Sequence, residues 1–394
     1  MVGLRGVLHF MDSRLFWLAL AAFVGATEGG LIAGVLPSIS EDMGVTIGQA
    51  GLIMVGYALA YAIGTPLLAV VLGGVGRRRI LAWSELGLAV CALLIALAPV
   101  FPMIVGLRTV LAVCAGTFTG TAMATAAMIA PQGQRGRALQ IVTMGQSLAV
   151  LVGVPIGAYV AAHYSWRFNY GAIAAMAAAA SLALYLRLPK GMHGDTQTMR
   201  DRLRVLRNPG VLPALLVTLL YIGGSFPLGI YVGALMSQNG LGLDALPIVL
   251  LGSGVGALFA SLTAGRIADA LGNRLTVIVS TLVLIIGMGG YALLPVLPVE
   301  GRLPLLLGIV AVQGYVGWGY WIAHCSQMAH LAPSSVPVAI SLDMAALNIG
   351  MALAAAAGGI VVDRWGANAL AYAGAPFAIL ALIVWLSIRE LPAE

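Results

Sequence analysis

Twelve apolar runs, each close to the length that crosses a bilayer and separated by short polar patches, leave this chain few folds to choose from. A membrane helix needs about 20 mainly apolar residues. Breaking the sequence at Pro, Gly and charge clusters predicts spans over 15–37, 48–72, 80–98, 103–129, 138–162, 168–188, 211–236, 245–267, 275–297, 304–329, 337–361 and 367–388. Twelve spans of about 22 residues use roughly 260 of the 394 residues, leaving loops too short for a soluble domain. Composition agrees: 61% of residues are apolar, 9% are charged and the mean hydropathy is +1.01, against about 25% charged in a soluble domain. The 51 glycines suit helices that pack closely in lipid. A soluble globule of this size could not hide so much apolar surface in one core. Soluble enzymes, disordered scaffolds and nucleic-acid binders are excluded, and an all-α integral membrane protein is expected.

The first run, Leu15 to Pro37, is too long for the apolar region of a signal peptide and has an acid at its middle. Cys91, Cys114 and Cys325 all fall inside apolar runs, an odd number with no disulfide framework. One connection alone is long and polar, Pro189 to Gly210, and it splits the chain into two sets of six spans. The expected division is a six-helix bundle over 1–188, a basic linker over 189–210 and a second six-helix bundle over 211–394, duplicated halves related across the membrane normal.

Basic residues set the expected orientation. The side holding both termini and the linker carries Arg5, Arg14, Arg77, Arg78, Arg79, Arg135, Arg137, Arg187, Lys190, Arg200, Arg202, Arg204, Arg207, Arg266, Arg274 and Arg389. The other carries Arg167, Arg302 and Arg364, and Arg108 lies within span 4. Both termini are therefore expected in the cytoplasm. The linker reads as a solvated segment near anionic lipid, with no nucleic-acid partner.

The short polar patches repeat a known grammar. Between spans 8 and 9 stands Gly265-Arg-Ile-Ala-Asp269-Ala-Leu-Gly272-Asn-Arg274, which resembles the G-x-x-x-D-x-x-G-x-R loop of the major facilitator superfamily. At the matching place between spans 2 and 3, Gly76 and Arg77-Arg78-Arg79 survive but Gly73 holds the acid position. Leu107-Arg108 resembles the buried-arginine motif of that superfamily, and Gly145 with Gly153-Val-Pro155-Ile-Gly157 is similar to the antiporter motif of its drug-efflux branch. Thr27-Glu28-Gly29-Gly30, Trp166-Arg167, Ser341-Leu342-Asp343, Asn348-Ile-Gly350 and Gly358-Gly359 resemble the sugar-efflux and arabinose-efflux permeases among the twelve-span drug:proton antiporters. The resemblance covers essentially the whole chain. It implies the major facilitator fold, two six-helix bundles with cytoplasmic termini, in a bacterial inner membrane. With Gly73 in place of the acid, the resemblance leaves Asp269 as the acid able to latch the two halves.

Three groups of residues could carry chemistry. Glu28 sits near the centre of span 1, where a carboxylate costs about 2.5–3.5 kcal/mol even on a permissive insertion scale. Burial favours its neutral form, so it could load a proton on one side and lose it on the other; the plainer reading is a neutral acid bonded to backbone or to Thr27. Arg108 must find an acceptor, Glu28 among the candidates, unless it snorkels to the outer interface. Arg108, Ala115 and Thr119 share a helix face. In span 10, Gln313, Gly317, Tyr320, His324 and Gln327 form one polar stripe beside Trp318 and Trp321. That stripe suits either a cavity wall that stacks on a ring or an interfacial aromatic belt. His324 could assist proton release or simply be a hydrogen-bonded histidine.

Proton coupling is accordingly assigned to Glu28, Arg108 and His324, and substrate contact to Tyr57, Tyr61, Thr119, Gln146, Gln313, Trp318, Tyr320, Trp321 and Asn348. The close-packing and hinge positions are Gly76, Arg77, Gly153, Pro155, Gly157, Gly265, Asp269, Gly272 and Arg274. Asn348 could equally lock two helices; Asp343 reads as a cytoplasmic-side gate or an interfacial acid, and Glu85 as an ion-pair partner for Arg77–Arg79. No nucleotide-binding loop, H-E-x-x-H or Ser/His dyad is present. The expectation is a monomeric proton-coupled antiporter, not an enzyme and without metal or cofactor, exporting a small neutral or weakly charged solute such as a drug, sugar or nucleoside. Uptake by symport or facilitated diffusion is the alternative.

Overall fold

The computed structural model describes residues 13–131, 134–192, 205–206, 208 and 210–388. Arg5, Arg200, Arg202, Arg204, Arg207 and Arg389, on which part of the orientation argument rests, lie outside them. Twelve helices among the described residues are long and apolar enough to cross a membrane: α1 (Ser13–Met43), α2 (Ile47–Val71), α3 (Arg77–Ala96), α4 (Phe101–Ile129), α5 (Arg135–His163), α6 (Trp166–Arg187), α7 (Val211–Ile230), α8 (Leu243–Leu271), α9 (Asn273–Val296), α10 (Val299–Leu331), α11 (Val336–Trp365) and α12 (Ala369–Ser387). Each matches one apolar run. Two ends differ from the reading of the sequence. α1 continues past Pro37 to Met43, with the proline ring packed on Gly233. α7 stops at Ile230, where Tyr231 breaks the helix before a short one over Val232–Gln238.

Within the first six helices α3 packs on α4 and α6, α2 on α4, and α1 on α5 and α6; within the last six α8 and α9 pack on α10, and α7 on α11 and α12. The two sets meet mainly along α2–α11 and α5–α8. Glycine permits several of these approaches: a methyl on Gly145 would overlap the Ala19 carbonyl, and one on Gly256 the Ala311 carbonyl. Gly272, at φ +83°, turns the chain between α8 and α9 in a conformation that favours glycine.

The end of the bundle that carries Ser13 and Ser387 is the terminal end; the opposite end is the distal end. The hydrogen bonds found between the two halves are distal. There the Thr46 hydroxyl (2.7 Å) and the Gly48 N–H (3.0 Å) donate to the Asp363 carboxylate at the end of α11. Tyr231 donates to the Ala355 carbonyl (2.7 Å) and lies in a gap edged by Gly51, Gly358 and Gly359, where methyl groups would not fit. Asp269, at the terminal end, is exposed and makes no ion pair among the described residues.

Candidate functional site

Four helices of the first half enclose Glu28. α1 presents the carboxyl inward, and α4 presents Arg108 to it; both side chains are 0% exposed. Nη2 of Arg108 lies 2.9 Å from Oε1 of Glu28, off the line of its N–H, so the contact is an ion pair in which neither carboxylate oxygen accepts an aligned hydrogen bond. The guanidinium also donates to the Tyr170 hydroxyl of α6 (2.8 Å) and to the Glu28 main-chain carbonyl (3.4 Å), and it sits 5.0 Å from the Tyr57 ring of α2. Arg108 therefore finds an acid, a phenol, a carbonyl and an aromatic face instead of reaching the interface, which is how a charge that cannot be given up survives at this depth. Arg108 Nε, both Glu28 oxygens and the Thr27 hydroxyl are buried without an aligned partner.

α5 abuts this site through an interruption in its own winding. Ala149–Gly153 forms a π-helical turn followed by Pro155, a geometry that widens the backbone and recurs at functional positions. Gly153 packs against the side chain of Thr27, beside Glu28, while Val150 and Leu151 press on Gly254 of α8. Gly157 packs on Leu31, and its carbonyl accepts from Asn169 (2.9 Å). The glycines and proline singled out in span 5 thus lie between the acid and the other half.

The second half holds a separate buried cluster. Asp343 is 0% exposed; its Oδ1 accepts from the Thr218 hydroxyl (2.7 Å), and its Oδ2 lies 3.1 Å from Nδ1 of His324, itself 0% exposed. Tyr221, Tyr320, His324 and Trp385 form a column of rings, with Tyr221 and Tyr320 stacked at 3.8 Å and 5° and His324 5.5 Å from Trp385. Asp343 is therefore not an exposed interfacial acid: it is buried against residues of α7 and α10.

The remaining predicted positions scatter. Tyr57 and Tyr61 neighbour each other at 6.2 Å, and Tyr61 lies against Gly116 and is hydrogen-bonded to Thr119, whose hydroxyl also donates to the Ala115 carbonyl. Gln146, Trp318 and Trp321 are half-buried. Gln313 turns towards α9, accepting from Tyr291 (3.0 Å), and Asn348 donates within its own helix to Met344 (2.9 Å). The span-10 stripe is one face, yet it divides between α9, α7 and α11 instead of presenting a single wall. Gly76 precedes α3, the Arg77 N–H donates to the Met192 carbonyl (2.8 Å), Gly265 is exposed, and Arg274 donates to the Leu386 carbonyl (3.2 Å).

Glu85 is a correction. It does not pair with Arg77–Arg79: it is 0% exposed and neither oxygen has a hydrogen-bond partner. Arg77 and Arg78 lie two turns below it on the same helix face, about 10–12 Å along the axis, beyond reach. Tyr170, Thr218 and Asp363 were not anticipated. Nothing local marks them; each is defined by a partner far away in sequence.

Comparison with known proteins agrees with this architecture. The family profile described as Major Facilitator Superfamily matches residues 18–301 and again 215–394. The chain is 29% identical over 392 residues to the inner membrane transport protein YdhP of Escherichia coli K12, covering 96% of each chain. It is 29% identical over 347 residues to a chloramphenicol resistance protein of Streptomyces lividans, covering 87% of each, and 26% identical over 385 residues to the uncharacterised MFS-type transporter YtbD of Bacillus subtilis. Its fold is similar to the crystal structure of the nucleoside transporter NupG, a D323A mutant, with a TM-score of 0.78 at 13% identity over 96% of this chain and 100% of that one. Twelve spanning helices, a bilobed packing and matches along nearly the whole sequence lead to one conclusion: the chain belongs to the major facilitator superfamily and is a multi-pass transporter of the bacterial inner membrane.

Proposed function

We propose that this transporter is a proton-coupled antiporter that exports a small neutral or weakly charged organic solute. The observation that carries this reading is the buried Glu28–Arg108 pair at 2.9 Å. Protonating Glu28 cancels the ion pair but leaves Arg108 its bond to Tyr170, its bond to the Glu28 carbonyl and the Tyr57 ring. The arginine keeps these neutral contacts in both states but loses its counter-ion when Glu28 is protonated, so the change of charge strains the site and favours a rearrangement. Loss of the pair frees α1 to shift against α5 at Thr27 and Gly153, and the π turn carries that shift to Gly254 of α8. A proton bound at Glu28 thereby biases how the halves meet.

Sixteen of the 20 basic residues fall on the terminal side by the span order, which supports a cytoplasmic terminal end. With the halves bonded at the distal end, the conformation is then one that faces the cytoplasm. Export rests on the similarity to the chloramphenicol resistance protein and on the resemblance of α5 to the antiporter motif. Glu28 and Arg108 are the fixed charges of the first-half site, and they neutralise each other, which disfavours polyanionic cargo. Tyr57, Tyr61, Thr119, Gln146, Trp318 and Trp321 are the side chains assigned to solute contact. The electrical part of the proton-motive force supplies about 2.3 kcal/mol per proton for each 100 mV.

The test is counterflow in proteoliposomes against chloramphenicol, neutral sugars and nucleosides, with and without a pH gradient. Glu28→Gln should exchange bound solute normally yet fail to concentrate it. Uphill pumping by that variant would show that another group carries the proton, and uptake driven by an inward proton gradient would replace export with symport.

A further inference from the structure

We infer that the second half carries its own proton-binding site, the His324–Asp343 pair, standing nearer the terminal end than Glu28–Arg108. The inference rests on the proton-coupled reading above and adds a second site to it.

Three helices build the pair, and their registers agree. Thr218 lies seven residues from Val211 at the start of α7, Asp343 seven from Val336 at the start of α11, and His324 seven from Leu331 at the end of α10. All three positions are therefore about 10 Å from the terminal end. In the first half Arg108 is seven residues from Phe101, the distal end of α4, and Tyr170 four from Trp166, the distal end of α6. Glu28 itself is fifteen residues from either end of α1, so the first pair stands between mid-helix and the distal end, while His324–Asp343 stands near the terminal end, in the other bundle. His324–Asp343 lies towards the end where Asp269 makes no ion pair among the described residues, away from the distal bonds between the halves.

The groups facing the pair explain why it needs a proton. From α7 come Thr218, which donates to Asp343, and the Tyr221 ring; from α10 come Tyr320 and Cys325; from α12 comes Trp385. Behind Trp385 lies Arg274 of α9, whose guanidinium donates to the Leu386 carbonyl and whose own carbonyl accepts from Trp385. Among the described residues no arginine or lysine pairs with Asp343 as Arg108 does with Glu28. A buried carboxylate beside a neutral imidazole is an uncompensated charge. Adding one proton, on Nδ1 or on Oδ2, leaves the pair neutral overall, as imidazolium with carboxylate or imidazole with acid. The two residues thus hold one proton in common, and it belongs to the pair.

Potentiometric titration of the purified full-length chain in detergent micelles, counting protons bound per molecule across the neutral range, tests this directly. Asp343→Asn should lose about one bound proton and the double variant that same one, not two, whereas His324→Gln, which leaves the buried carboxyl without its base, should keep the proton on Asp343. Glu28→Gln should lose a different proton, additive with the first. Asp343→Asn keeps an acceptor for Thr218 and puts an amide against His324, and a thermal melt near wild type confirms that it folds. Thr218→Val, which keeps both titrating groups, should retain the proton but shift its midpoint. An Asp343→Asn curve that matches wild type, or losses at His324 and Asp343 that add as independent groups, would overturn the second site while leaving Glu28 in place. The reverse outcome, loss at Asp343 with none at Glu28, would remove Glu28 as a carrier and leave His324–Asp343 standing.

Discussion

At the scale of single residues, the two buried acids of the first half differ in what surrounds them. Glu28 has Arg108 at 2.9 Å, whereas Glu85 has no partner for either oxygen. Removing one member of a buried pair costs about 3–5 kcal/mol, because the survivor is left uncompensated. Arg108→Met should therefore lower the thermal unfolding midpoint sharply, and Arg108→Met with Glu28→Gln should recover much of the loss. Tyr170→Phe removes one hydrogen bond to a charged group, worth about 1.5–3 kcal/mol, and should cost less than Arg108→Met in the same melt. Glu85 leads to the opposite expectation. A polar group buried without a partner costs about 1–3 kcal/mol, so Glu85→Leu should raise the midpoint. A fall would mean that a group beyond the described contacts holds this carboxyl.

At the scale of elements, α5 is the one spanning helix among those described that interrupts α-winding with a π turn, and it does so where it touches both halves. Gly153→Ala would drive a methyl into Thr27, at a cost of about 1–3 kcal/mol for an overpacked contact. Because the clash is with one side chain, Thr27→Ala combined with Gly153→Ala should recover part of that loss, a non-additivity that denaturation of the three variants would measure. Gly254→Ala meets backbone of Val150 and Leu151 instead, and no side-chain change should rescue it. The proline of the motif suggested a hinge here, but the π turn could not be foreseen. A π turn forms when neighbours reward the wider backbone, and those neighbours, Thr27 and Gly254, are 126 residues before and 101 residues after Gly153 in the chain.

At the scale of the whole molecule, the halves are bonded at the distal end through Asp363. Asp363→Ala should shift the population towards a distal-open state. Loss of about 1–2 kcal/mol corresponds to a factor of about 5–30 in an equilibrium. Spin labels placed across the distal ends of α2 and α11 should show a longer distance component growing by that order; an unchanged distribution would mean that packing around Tyr231, not the carboxylate, closes this end. Hydropathy alone determined the twelve spans, because each run must satisfy the bilayer along its own length, whatever its neighbours do. The sequence also showed that Arg108 must either find an acceptor or snorkel to the interface, since a guanidinium cannot shed its charge, but not which of the two it does. Only the tertiary structure decided which groups met: Glu28 with Arg108 across 80 residues, Thr218 with Asp343 across 125, Thr46 with Asp363 across 317, and Glu85 with none. Partner choice is a property of how helices are arranged side by side, and a helix of this length carries its side chains round every face, so the pattern along one helix cannot say which neighbour each face will meet.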